Sequence, residues 1–165
     1  MKKTYKNNIH IFWNDEFQDK ENTDLLINSI FLTKNFEKIS NKFLIKVFLV
    51  SNEEIKELNH KFLDNNFETD VLSFNYYDGW KNGKLSENME LFPGEDNIDE
   101  LGELYLSIPQ ISKQAKENNL TFAKELSTMA IHGTLHLLGY NHEEINEEKI
   151  MFSKTDKILS LMNLD

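Results

Sequence analysis

The sequence predicts an α+β fold: four strands in a mixed sheet, packed by helices, with a histidine-bearing helix near the C-terminus. Three observations predict it. Four short runs rich in branched and aromatic residues fall in the first two-thirds of the chain. Helical patterns separate the early runs, and three more helical patterns in succession close the chain. The length, 165 residues, suits a single domain over 1–165, with enough chain to bury a core.

Residues 9–14 read as the first strand, with Ile9, Ile11 and Trp13 on one face. Asn22 or Thr23 is a candidate cap for a helix carrying Leu25, Leu26, Ile30, Phe31 and Phe36. Residues 43–50 form the second strand. Ser51 with Glu54 is a capping-box pattern, opening a helix whose inner face holds Ile55, Leu58 and Phe62. Residues 71–75 and 101–108 supply the third and fourth strands, the latter alternating through Leu104, Leu106 and Ile108. The polar segment between them, 76–100, contains Gly79, Gly83, Pro93 and Gly94 and has the composition of a mobile loop. Helices are expected over 109–118, with Pro109 in the first turn, over 121–138, and from about 143 to 162.

Composition excludes several classes of function. No cysteine is present, which removes disulfide frameworks, thiolate zinc, iron–sulfur clusters and cysteine nucleophiles. The longest apolar run, 43–50, is broken by Lys46 and is too short to span a bilayer. No secretory signal precedes the first strand, so the expectation is a soluble cytoplasmic protein with no membrane partner. The net charge is −10 and lies entirely in the second part of the chain: residues 1–66 hold 10 lysines and 10 acids, leaving 8 lysines and 18 acids beyond. All 18 basic residues are lysine, so no bidentate guanidinium is available to grip a phosphate. Lys34, Lys38, Lys42 and Lys46 cluster and read as a solvated helix end.

One stretch carries chemistry. Three of the five histidines lie in His132-Gly133-Thr134-Leu135-His136-Leu137-Leu138-Gly139-Tyr140-Asn141-His142. His132 and His136, four apart, share one helix face about 6 Å apart along the axis. Gly139 can end the helix in the left-handed conformation and return His142 to the same ion. Three histidines leave a fourth position open on zinc, as catalytic sites do, and an ion so held lowers the pKa of its water towards ~7. The ligand spacing matches a protease-type zinc signature, but Gly133 stands where such proteases carry a glutamate base, which disfavours peptide hydrolysis. His10 and His60 stand alone and read as surface or core positions.

The eleven-residue histidine motif closely resembles that of the YbeY family of metal-dependent endoribonucleases. Glu68-Thr69-Asp70-Val71-Leu72-Ser73-Phe74, preceded by Leu58-Asn59, and Leu101-Gly102-Glu103-Leu104 resemble two further segments of that family, over roughly 43–160. The resemblance implies a zincin-like sheet and one zinc per chain, held by His132, His136 and His142. It implies single-strand endoribonuclease activity in maturation of the small-subunit rRNA 3′ end and in ribosome quality control. The implied partners are ribosomal RNA and the small subunit or its assembly factors. Asp70 and Thr134 are candidates to support the ligands. Leu63 stands where the family usually has an arginine near the metal; Lys61, two residues away, is the candidate RNA-binding substitute. Asn141 replaces an aspartate and is a candidate cap for the final helix. The missing arginine and the acidic second part support an alternative: a ribosome-assembly binding factor whose zinc site is structural or vestigial.

Overall fold

The computed structural model describes residues 1–17, 20–91 and 97–164; Pro93 and Gly94 lie outside them. Five strands form one mixed sheet in the order β1-β2-β3-β7-β4. They are β1 (Lys2–Lys6), β2 (Ile9–Trp13), β3 (Phe43–Val50), β4 (Val71–Asn75) and β7 (Asp99–Ser107). The three central strands β2, β3 and β7 run parallel, and both outer strands run antiparallel to their neighbours. The four expected strands are therefore present, and β1 adds a fifth. The sequence Lys2-Lys3-Thr4-Tyr5-Lys6 has no apolar alternation because it is an exposed edge strand. A two-residue turn, Asn7-Asn8 with φ of 56° and 55°, joins it to β2.

Alternation within the strands separates two layers. Ile9, Ile11, Ile45, Val47, Leu104 and Leu106 face one side and are fully buried. There they meet α1 (Lys20–Phe36), α4 (Phe122–Leu137) and α5 (Ile145–Ser160) through Leu26, Ile30, Leu126, Ile131, Met151 and Ile158. Each such side chain contributes about 1.5–3 kcal/mol of burial. Phe48, Val50, Leu72 and Tyr105 face the other side and pack on Ile55 and Leu58 of α2 (Asn52–Leu63). The capping box at Ser51 is formed: the Glu54 amide donates to Ser51 Oγ at 3.2 Å and the Ser51 amide donates to Glu54 Oε2 at 2.7 Å. Helix α3 (Ile108–Glu117) bridges α2 and α4.

Several local expectations change. Helix α1 already includes Lys20 and Glu21, so Asn22 and Thr23 lie within it rather than capping it. Lys34 is buried, not solvated, donating to the Phe43 carbonyl at 2.7 Å and to Asn41 Oδ1 at 3.3 Å. The N-cap position of α5 is Glu144, without a side-chain capping bond, so Asn141 does not cap it. The 76–100 segment is not plain loop: it carries a short hairpin, β5 (Trp80–Lys81) and β6 (Lys84–Leu85). Asn82 and Gly83 turn it with φ of 49° and 77°, the geometry that Asn-Gly favours in two-residue hairpins.

Candidate metal centre

Helix α4 begins at a Thr121 cap, whose hydroxyl accepts from the Lys124 amide at 3.2 Å. It is buried along most of its length between α1, α3, α5 and the sheet. His132 and His136 lie on its one groove-facing stripe and are half-buried, whereas His142 is exposed. Gly139, at φ 79°, reverses the chain just past the helix; its amide donates to the His136 carbonyl at 2.9 Å and the Tyr140 amide to the Leu135 carbonyl at 3.1 Å.

The three rings converge. Their centroids are 4.6, 5.0 and 5.3 Å apart, and one ligand atom from each lies within 4.8 Å of the others. The Nε2 atoms of His132 and His136 are 3.1 Å apart. Two nitrogens sharing a tetrahedral zinc at its ~2.0–2.1 Å bond length stand about 3.3 Å apart, so the pair fits such an ion. His136 Nδ1 lies 2.9 Å from the Tyr140 carbonyl, which can only accept. The proton therefore sits on Nδ1, and Nε2 presents its lone pair. Burial lowers the pKa of His132 to about 4, reinforced by His136 and His142 and opposed by Asp70. Burial lowers His136 as well, against the bond to the Tyr140 carbonyl. Both imidazoles are neutral at pH 7 and need lose no proton to take a cation.

Three side chains fix the Tyr140 peptide. The Tyr140 hydroxyl donates to Glu37 Oε2 at 2.6 Å, and Lys154 Nζ donates to Glu37 Oε1 at 2.7 Å. Glu37 is buried at the end of α1, and the Lys154 ammonium lies 5.0 Å from the Tyr140 ring centroid. Tyr140 sits inside the histidine motif, so its proximity was readable; Glu37 and Lys154 are distant in sequence and left no local signal.

The other candidate residues separate. Asp70 lines the histidine cavity, where its carboxylate accepts from the Val71 amide at 2.7 Å and Gln114 Nε2 at 3.1 Å. It acts on His132 through charge. Thr134 faces the core and spends its hydroxyl on the Ala130 carbonyl at 2.7 Å, so it is not brought to the site. Lys61 lines a different cavity, of about 360 Å³, with Phe12, Phe48 and Tyr105. Leu63 does line the histidine cavity. Gly133 packs against β4 and β7: a Cβ there would meet Leu104, Val71 and Ser73 side chains at 3.0–3.2 Å, so a glutamate in its place would crowd them and require them to shift by a few tenths of an ångström.

The histidines open into a cavity of about 1370 Å³, walled by β4, the β5–β6 hairpin and the start of α5. This exceeds the ~300–1,000 Å³ of small-molecule sites, leaving room for a ligand larger than those.

The profile of the family described as Endoribonuclease YbeY matches residues 8–163. A protein of that name from Malacoplasma penetrans (strain HF-2) is 33% identical over 156 residues, covering 94% of this chain and 95% of its own. One from Caldicellulosiruptor bescii is 41% identical over 122 residues, covering 74% and 75%. The solution structure of TM1509 from Thermotoga maritima aligns with a TM-score of 0.55 at 33% identity, over 92% of this chain and 87% of that one.

Proposed function

The chain belongs to the YbeY endoribonuclease family, and on that premise we propose that it is a metal-dependent single-strand endoribonuclease. Its task is maturation of the small-subunit rRNA 3′ end and ribosome quality control in the cytoplasm. Its partners are ribosomal RNA and the small subunit or its assembly factors, and its cofactor is one zinc ion per chain. The observation that carries this reading is the convergence of His132, His136 and His142 in a cavity larger than most small-molecule sites.

His132, His136 and His142 would hold the ion, which when bound would supply Lewis-acid chemistry towards water and the phosphodiester. The chain's residues do the rest. The Tyr140 carbonyl holds the His136 proton on Nδ1 and keeps Nε2 free. Burial keeps the His132 and His136 rings neutral. Strand β4 offers its unpaired edge as one wall of the groove.

The test is cleavage of single-stranded RNA and of a 3′-extended small-subunit rRNA precursor, with chelator and after zinc is restored. Activity lost on chelation and regained with zinc is expected, together with metal in the purified protein and its loss in His136→Ala. Equal metal content in both proteins sinks the site. One observation favours the second reading, an assembly factor with a structural or vestigial ion: Leu63 lines the groove where a cation would help bind phosphate. Cleavage that emerges only in Leu63→Arg decides for that reading.

A further inference from the structure

We propose that Lys81, on the β5–β6 hairpin, binds the phosphate of RNA laid against the three histidines. This assignment rests on the endoribonuclease reading. A nuclease groove must attract a polyanion, and this chain has no arginine with which to do it. Five carboxylates line the groove, from Asp70, Asp78, Glu143, Glu147 and Glu148. Among the described residues Lys81 is the one lysine that lines it. Five other lysines are engaged or placed elsewhere. Lys42 pairs with Asp99, Lys46 with Glu100 and Lys154 with Glu37, while Lys34 is buried and Lys61 lines the separate cavity. Lys81 is exposed and, among the described residues, in no ion pair, so its ammonium is available.

Its position is set by the same turn that delivers the third histidine. The Asn82 amide reaches the Gly139 carbonyl at 3.4 Å, and the Gly83 amide donates to the Leu138 carbonyl at 2.9 Å. A Cβ on Gly139 would lie 2.1 Å from the Trp80 carbonyl oxygen and 2.7 Å from the Lys81 nitrogen. Gly139 thus does more than end the helix: its missing side chain is the seat of the Trp80–Lys81 backbone. Trp80 anchors the hairpin in the core, edge-on to Phe43 at 5.2 Å. The lysine is therefore carried on a rigid support that touches the chain between His136 and His142.

The experiment titrates a fluorescent single-stranded oligoribonucleotide, protected from cleavage by 2′-O-methyl groups, with the metal-loaded protein over a range of salt. Lys81→Ala is expected to weaken binding about tenfold at low salt, the loss of one charged contact. The plot of log affinity against log salt is expected to flatten by about 0.7, the share of one single-strand phosphate contact. Lys61→Ala leaves both unchanged, and Leu63→Arg restores binding in the Lys81→Ala background. If wild type binds the oligonucleotide and cleaves its unprotected counterpart while Lys81→Ala gives a superposable salt titration, the assignment fails alone. If wild type neither binds nor cleaves RNA, the endoribonuclease reading fails and this assignment with it.

Discussion

The carbonyl of Tyr140 orients one histidine, and side chains from distant parts of the chain decide where that carbonyl sits. In Glu37→Ala the Tyr140 hydroxyl and the Lys154 ammonium lose their shared acceptor. Lys154 is 26% exposed and can rehydrate, so the cost is nearer about 2 kcal/mol than that of a fully buried pair. Urea unfolding of the metal-free protein measures it. Zinc affinity, read by competition with a chromophoric chelator, falls roughly tenfold if the network sets the ligand's orientation. Lys34 gives the second prediction at this scale. Burial lowers its pKa from 10.5 to about 8. As pH rises from about 8 towards 10.5 the folded chain gives up this proton while the unfolded chain keeps it. More protons on the unfolded state means that Lys34's contribution to stability rises with pH in that window. The slope of unfolding free energy between pH 8 and 10 should be less positive in Lys34→Met.

At the scale of elements, the hairpin is the piece whose importance exceeds its size. Trp80→Ala removes the buried ring that fixes it, and large aromatic-to-alanine changes in cores cost about 3–5 kcal/mol. Because the hairpin rests on Gly139, the same variant should weaken RNA binding beyond what Lys81→Ala does, measured at a temperature where both variants stay folded. The expectations for individual elements succeed and fail for physical reasons. Strands β3 and β7 are buried and rich in branched residues, so their pattern survives in the sequence; β1 is polar and exposed, so it has none. The two histidines of α4 were legible because helical spacing alone places them. The hairpin was legible only in its Asn82-Gly83 dipeptide, since two-residue strands have no periodicity to read. Lys61 illustrates the opposite case. Two residues from Leu63 along the chain, it points across α2 into the other cavity, as i, i+2 positions on a helix do.

For the whole molecule, the problem is that a chain of net charge −10 must approach a polyanion through a groove lined by acids. The first-turn glutamates of α5 favour the helix dipole, and that local benefit opposes RNA approach. A carboxylate set roughly 8 Å from a phosphate in water would repel it by about 0.2 kcal/mol at 0.15 M salt and about 0.4 kcal/mol at 0.01 M. Replacing Glu143, Glu147 and Glu148 together by glutamine should therefore raise RNA affinity about threefold at 0.15 M and about eightfold at 0.01 M. At 1 M, where the Debye length is about 3 Å, the advantage should vanish. The same substitutions should cost about 1–2 kcal/mol of stability through the lost dipole interactions, measurable by urea unfolding. Anisotropy titrations at the three salt concentrations separate the explanations. A gain that shrinks with salt is through-water repulsion. A gain that stays constant would mean that the glutamates block the groove by shape or by hydrogen bonding, and that charge does not limit RNA entry.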